Sequence, residues 1–152
     1  MSLVPAAVRA TGLPVIAAGG IASAEQVNAL LAMGAAGVSV GTALLTTAES
    51  SACDAHRYYA EFGTACDTVL TRIYNGRLSR VLRNALVEAL DDWELMTAGY
   101  PSQKALMGPL DRCASEVGRN DLVMLPLGQS AGRSAYRRTA DCVHALFPRR
   151  AD

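Results

Sequence analysis

Two short runs, each ended by a glycine-containing dipeptide, constrain this chain more than any other feature. Pro14 to Ala18 reads P-V-I-A-A and stops at Gly19-Gly20; Gly37 to Val40 reads G-V-S-V and stops at Gly41-Thr42. A β-branched run that is apolar on both faces suits a strand of a parallel sheet, with helices over one face and a core over the other. Between the two runs, Ser23 is a good helix N-cap, and Gln26 three residues later completes a capping box. Val27, Leu30, Leu31 and Gly34 then recur at helical spacing, and Gly34 is suited to close the helix in a left-handed conformation. The pattern is β-α-β, which implies a right-handed crossover and parallel strands. A preceding helix is expected to end near Ala10, before Thr11-Gly12, so the chain begins as though partway through a repeating α/β pattern.

The later sequence reads as mostly helical. Ser51 to Phe62 is predicted as helix, Thr68 to Tyr74 as an irregular strand or loop, and Asn75-Gly76 as a turn. Leu78, Val81, Leu82, Ala85, Leu86, Ala89 and Leu90 predict one long amphipathic helix from Leu78 to Leu95. Pro101 and Gly108-Pro109 are expected to break the next stretch, leaving a short helix from Leu110 to Val117. Leu122 to Leu127 contains Pro126 and reads as a loop or edge segment. A last helix is expected from Ala131 to Phe147, stopped by Pro148. The chain is 51% hydrophobic but only 5% aromatic over 152 residues, a mix of small apolar residues that lets helices lie close on a sheet. The expected class is α/β, with residues 1–50 as a β-α-β unit and 51–152 as a helical extension packing on it.

Charge and cysteine usage remove several function classes. The formal net charge is zero, and no block of like charge is long enough for a nucleic-acid or membrane-surface patch. Arg133, Arg137, Arg138, Arg149 and Arg150 read as a solvated helix face and tail. Arg77, Arg80 and Arg83 read as one face of the predicted long helix, placed to pair with Glu88, Asp91 or Asp92 or to approach an anion, with surface salt-bridging the favoured reading. Cys53, Cys66, Cys113 and Cys142 form no C-x-x-C pair and lie near no histidine at zinc-like spacing, so buried or part-buried reduced thiols and no metal site are expected. No apolar run approaches the roughly 18 residues of a membrane span, and Met1 to Ala10 lacks the character of a signal peptide. The expected setting is cytoplasmic. Tyr58-Tyr59, Tyr74 and Trp93 could border a ring-binding cleft, but packing is the expected use.

The chemistry is expected at the strand ends. Ligands of parallel α/β folds sit at the carboxyl ends of strands. Glycine there lets the main chain approach a ligand and turn its N–H groups toward it, and the helix start beyond Gly20 adds a field that favours an anion. Thr42 adds a hydroxyl donor. Two such loops one strand-helix-strand step apart suit a phosphate monoester, as in the loops after the last two strands of many (β/α)₈ barrels.

Three separated segments carry a family resemblance. PVIAAGGIASAEQVNALLAMGAAGVSVGTALLTTAES, from Pro14 to Ser50, resembles the last β-α-β unit of the nitronate monooxygenase family, formerly called 2-nitropropane dioxygenases. NGRLSRVLRN, from Asn75 to Asn84, resembles that family's G-R-x-x-R stretch, and Leu127 to Gly132 resembles its G-Q-S-A-G segment. The resemblance covers nearly the whole chain in order. It implies the C-terminal portion of a flavin-binding TIM barrel, with the last two parallel strands and a mostly helical extension, and FMN as the cofactor. Gly19 and Gly20 would meet the FMN phosphate from one loop and Gly41 and Thr42 from the next, with Ser39 and Val40 lining the approach. The family usually carries Gln-Met where this chain has Ser39-Val40, so one amide contact to the flavin is expected to be missing.

The resemblance also implies what this chain lacks. A complete barrel needs about 250 residues, and the family's catalytic histidine lies in a G-G-H motif upstream of the matching region. This chain has no G-G-H. Its two histidines are not expected to replace it: His56 falls on a predicted surface helix, and His144 on the last helix among small apolar neighbours. The expected function is therefore the FMN-phosphate-binding part of a nitronate monooxygenase-like oxidoreductase, inactive alone. A fragment of a flavin-dependent enoyl-acyl-carrier-protein reductase is one alternative, and a non-catalytic partner chain of a split barrel another. Expected partners are FMN, a small-molecule substrate, and either an N-terminal half-barrel chain or a second copy; neither nucleic acid nor membrane is expected.

Overall fold

Three residues per strand are enough to build the parallel pair. In the computed structural model, which describes residues 2–133 and 135–148, β1 (Ile16–Ala18) pairs in parallel with β2 (Gly37–Ser39) in the register Ile16↔Gly37, Ala17↔Val38 and Ala18↔Ser39. α1 (Leu3–Thr11) precedes β1, ends one residue beyond the Ala10 expected from sequence, and is capped by Gly12 at a left-handed φ of 62°. α2 (Ala24–Ala32) joins the strands, and Gly34 follows it at φ 96°, with an added Cβ there only 3.5 Å from the Val8 side chain. The molecule is α/β.

Contacts divide the chain into two units: Met1–Gly63 with Gln129–Asp152, and Thr64–Gly128. The core of the first gathers Ile21, Val27, Ala43, Cys142 and Leu146, with Leu30, Val38, Val40, Leu44 and Tyr136 packed against it. α3 (Asp54–Phe62) and α6 (Thr139–Leu146) belong to this unit. The segment before α6 braces the chain after β2: Thr46 Oγ1 donates to the Tyr136 carbonyl at 3.0 Å, and Ala48 N donates to the Arg137 carbonyl at 2.9 Å.

The second unit departs from the sequence reading. The predicted helix from Leu78 to Leu95 is instead a strand, a short helix and a 3₁₀ segment. β3 (Thr68–Thr71) and β4 (Ser79–Leu82) pair antiparallel, α4 spans Ala85–Leu90, and 3₁₀ turns run over Asp91–Met96. Asn84 is the cause. Its Oδ1 accepts Val87 N–H at 3.2 Å as an N-cap, which starts a new helix there. The same oxygen accepts the Tyr74 hydroxyl at 2.9 Å, while Nδ2 donates to the Val123 carbonyl at 2.9 Å. Burial pushes the Tyr74 phenol up to about 12, with Asn84 opposing and Asp111 adding to the rise. Around this network Ile73, Tyr74, Val81 and Val87 form the core.

Other expectations are corrected as well. α5 runs unbroken over Ser102–Glu116 through Gly108-Pro109; Pro109 removes one N–H but does not stop the helix. The last helix is Thr139–Leu146, much shorter than Ala131 to Phe147, because Gly132 turns the chain at φ 72°. Ser134, within that predicted helix, Arg149 and Arg150, in the predicted basic tail, and Met1 lie outside the described residues. Arg77, Arg80 and Arg83 share no helix face, since Arg80 lies in β4 and donates to Thr68 Oγ1 at 3.0 Å. Cys53, Cys66 and Cys113 are exposed and only Cys142 is buried. Trp93 is 60% exposed rather than packed.

Candidate functional site

The parallel register fixes where the two glycine loops emerge. Ala18 sits beside Ser39, so Gly19-Gly20 and Val40-Gly41-Thr42 leave neighbouring strands at the same carboxyl edge. Gly19 and Gly20 adopt φ of 100° and 71°, conformations that side-chain-bearing residues rarely take. Gly41 differs: its φ is −117°, and an added Cβ would meet nothing within 4 Å. Neither backbone strain nor packing requires glycine at 41. Its bareness keeps the main chain open at the rim.

Each loop is braced from behind. In the capping box of α2, Ser23 Oγ accepts Gln26 N–H at 3.4 Å. Gln26 Oε1 accepts the N–H groups of Ala22 at 2.7 Å and Ser23 at 3.1 Å, and its Nε2 donates to the Gly20 carbonyl at 3.0 Å. One amide side chain thus ties Gly20 to the start of α2. On the other loop, Gly41 leads into a 3₁₀ turn at Thr42–Leu44, where Leu44 N donates to the Gly41 carbonyl at 2.9 Å. Ala43 is fully buried against α6, its carbonyl 3.9 Å from Cys142 Sγ. Burial raises the Cys142 thiol, which stays protonated at neutral pH. Ser39 is exposed at the edge, whereas Val40 packs into the core cluster, leaving its main chain at the rim.

A cavity of about 480 Å³ opens on the Gly19-Gly20 loop, and its lining includes Gln26, Gln129 and Arg133. The 129–133 loop is held in place by Gly132, whose N–H donates to the Ala60 carbonyl at 2.9 Å. A Cβ on Gly132 would lie 2.2 Å from the Gly63 carbonyl oxygen, so only glycine fits. The G-Q-S-A-G segment therefore has a local use: its final glycine lets the turn close on α3, which sets Gln129 and Arg133 beside the first strand end. Gln26 was read in the sequence only as a capping residue, and Arg133 only as part of a solvated face. The capping-box spacing was the available signal for Gln26; nothing local signalled Arg133.

The other candidates lie apart from this edge. His56 is buried on α3 instead of sitting on the surface, and His144 is exposed on α6 rather than facing apolar neighbours. Neither lines the cavity. Among the described residues no group of three or more histidine, cysteine or acidic side chains is arranged to hold a metal ion, and no helix is long and apolar enough to cross a membrane.

Comparison with known proteins gives a consistent answer. A family model described as nitronate monooxygenase matches residues 1–146. A probable nitronate monooxygenase of Staphylococcus aureus (strain Newman) is 36% identical over 130 residues, covering 86% of this chain and 37% of the relative. The chain thus spans well under half the length of such curated relatives. Among solved structures, nitroalkane oxidase from Streptomyces ansochromogenes superposes with a TM-score of 0.86 at 32% identity, over 95% of this chain and 41% of that one. FabK from Thermotoga maritima gives 0.77 at 29% identity, over 95% and 46%.

Proposed function

This chain belongs to the nitronate monooxygenase family, and on that premise we propose that it is the FMN-phosphate-binding end of a (β/α)₈ flavoprotein whose whole form oxidises alkyl nitronates with O₂. The observation that carries the reading is the register that brings Gly19-Gly20 and Gly41-Thr42 out at one edge. The residues suit a phosphate monoester. Two glycine loops leave main chain uncovered, since a Cβ at Gly19, Gly20 or Gly41 would fill space that no protein atom occupies. Gly19, Gly20, Gly41 and Thr42 would hold the phosphate, with Ser39 and Val40 along the approach. FMN, when bound, supplies the redox chemistry of the reaction.

What this chain contributes is binding and orientation. Gln26 holds the Gly20 loop and the start of α2 as one piece, so the amides and the helix-terminus field are aimed before any anion arrives. No G-G-H motif is present, and neither histidine lies in the cavity beside Gly19-Gly20. We therefore assign no proton-transfer residue and expect no turnover from this chain alone. An N-terminal half-barrel chain or a second copy is the partner this reading calls for, in a cytoplasmic setting.

Two measurements test it. Titration of the chain with FMN and with riboflavin is expected to show a preference for FMN of about tenfold or more, the phosphate being the main handle. Gly41→Val is expected to remove that preference without loss of fold, because nothing crowds position 41. Equal binding of the two flavins, or an FMN affinity indifferent to Gly41→Val, rules the site out. Nitronate oxidation by the purified chain with added FMN would contradict the expected inactivity. The likeness to FabK supports a second reading, an enoyl-acyl-carrier-protein reductase fragment. NADH oxidation with a crotonyl thioester, measured on a full-length version, separates the two.

A further inference from the structure

A second cavity, of about 850 Å³, lies wholly within the Thr64–Gly128 unit, and the reading above leaves it without a role. Its charge is lopsided. Arg77, Lys104 and Arg112 line it, and Asp111 is the one acidic residue in the lining. Asp111 is already engaged, since its Oδ1 accepts Met124 N–H at 2.8 Å. The ion pairs among the described residues are Arg119–Asp121 and Arg137–Glu61, so none of the three cations has a carboxylate partner there. Arg112 lies back along α5, with its Nη1 beside Gly108 in the cavity wall.

The cavity also presents a flat surface. The Arg77 guanidinium stacks over the Tyr100 ring, 3.7 Å from its centroid, and Tyr100 remains 46% exposed. This pair is fixed by the turn beneath it. Asn75 Oδ1 accepts Arg77 N–H at 2.8 Å. Gly76, at φ 80°, is pressed so close to the 98–100 segment that a Cβ would lie 2.5 Å from the Ala98 carbonyl oxygen and 2.7 Å from Tyr100 N. The turn and the 98–100 segment are therefore locked together, with Arg77 and Tyr100 stacked at the contact. Met107, Met124 and Pro101 supply apolar wall.

We propose that this cavity binds a nucleoside phosphate: a phosphate or diphosphate ester carried on a flat ring. Lys104 and the Arg112 guanidinium fork, without a carboxylate partner among the described residues, match phosphate oxygens, and the stacked Arg77–Tyr100 platform matches a base. The volume falls within the about 300–1,000 Å³ of small-molecule sites and far exceeds the needs of inorganic phosphate alone. This site rests on residues of the second unit alone and goes beyond the reading of the strand ends.

Calorimetric titration of the 152-residue chain with ADP at low salt tests the assignment. One ADP per chain is expected, with adenosine and inorganic phosphate each weaker by about tenfold or more. Lys104→Gln and Arg112→Gln are each expected to weaken ADP by about fivefold or more and to flatten its salt dependence. Both residues are exposed on α5, and circular dichroism on each variant establishes that the fold is kept. No saturable ADP binding by the folded chain, equal affinity for ADP and adenosine, or two variants indistinguishable from the parent would each overturn the proposal. FMN binding should be untouched by Lys104→Gln. Loss of ADP and FMN together in that variant would keep a phosphate-ester site here while overturning the FMN reading of the strand ends.

Discussion

The two units reach order by different means. In the β-α-β part of the first, the polar contacts that shape the first strand end are local: Ser23 and Gln26 bond groups within six residues of themselves, and Gly19 and Gly20 act through their own dihedral angles. In the second, the decisive contact is a hub. Asn84 joins Tyr74, Val87 and Val123, partners drawn from 10 residues upstream and 39 downstream. Local devices can be changed one at a time with modest effect, whereas a hub fails as a whole.

The largest expected effect therefore falls in the second unit. Asn84→Ala removes the cap of α4 and leaves buried groups of Tyr74 and Val123 with fewer partners; the two losses together predict about 3 kcal/mol of destabilisation. Urea unfolding followed by far-ultraviolet circular dichroism measures it. A loss under about 1 kcal/mol would mean that the network carries little of the unit's stability. Next in size is the contrast between two glycines of the first unit. Gly20→Ala forces a side chain into φ 71° and is expected to cost about 1–2 kcal/mol, whereas Gly41→Ala, unstrained and uncrowded, should be nearly neutral. Thermal melts of the two variants decide it, and equal losses would contradict the different uses assigned to the two loops.

The smallest effect is expected from an exposed ion pair in the second unit. A hydrogen bond from Arg119, at 2.7 Å, holds Asp121 below the usual aspartate value. A carboxylate depressed in the folded state contributes stability above its unfolded value and loses it as pH falls through the folded one. The contribution of this pair should thus fade only under acid conditions. Being exposed and screened, it should be small enough that Asp121→Asn leaves the unfolding midpoint at neutral pH unchanged. A clear shift would show that a surface pair does work here that is otherwise assigned to the buried hub.

The same contrast explains what could be read from sequence. Gly12, Ser23, Gln26 and Gly34 each announce their element through short-range chemistry, so the β-α-β unit and the meeting of its two strand ends follow from about thirty consecutive residues. Residues 78–95 carry helical periodicity, yet Val81 and Leu82 are buried as strand residues because β3 offers a ladder, and Asn84 restarts the chain as helix. Periodicity counts apolar positions; it does not register a distant strand or a carbonyl waiting at Val123. Pro109 misled in the same way, since a proline can sit within a helix when the rest of the element holds. Arg133 and the Arg77–Tyr100 stack went unread because each depends on turns closing across long stretches of chain, around Gly132 and Gly76.

The Gln26 clasp has a consequence for timing. Because a single amide group grips the Gly20 carbonyl and the Ala22 and Ser23 N–H groups at once, the ligand-free loop has few alternative shapes to surrender on capture. On the proposed FMN reading, association should then run close to the encounter rate, without a slow rearrangement phase; whether or not flavin binds, the Ala22 and Ser23 amides of the free chain should resist deuterium uptake.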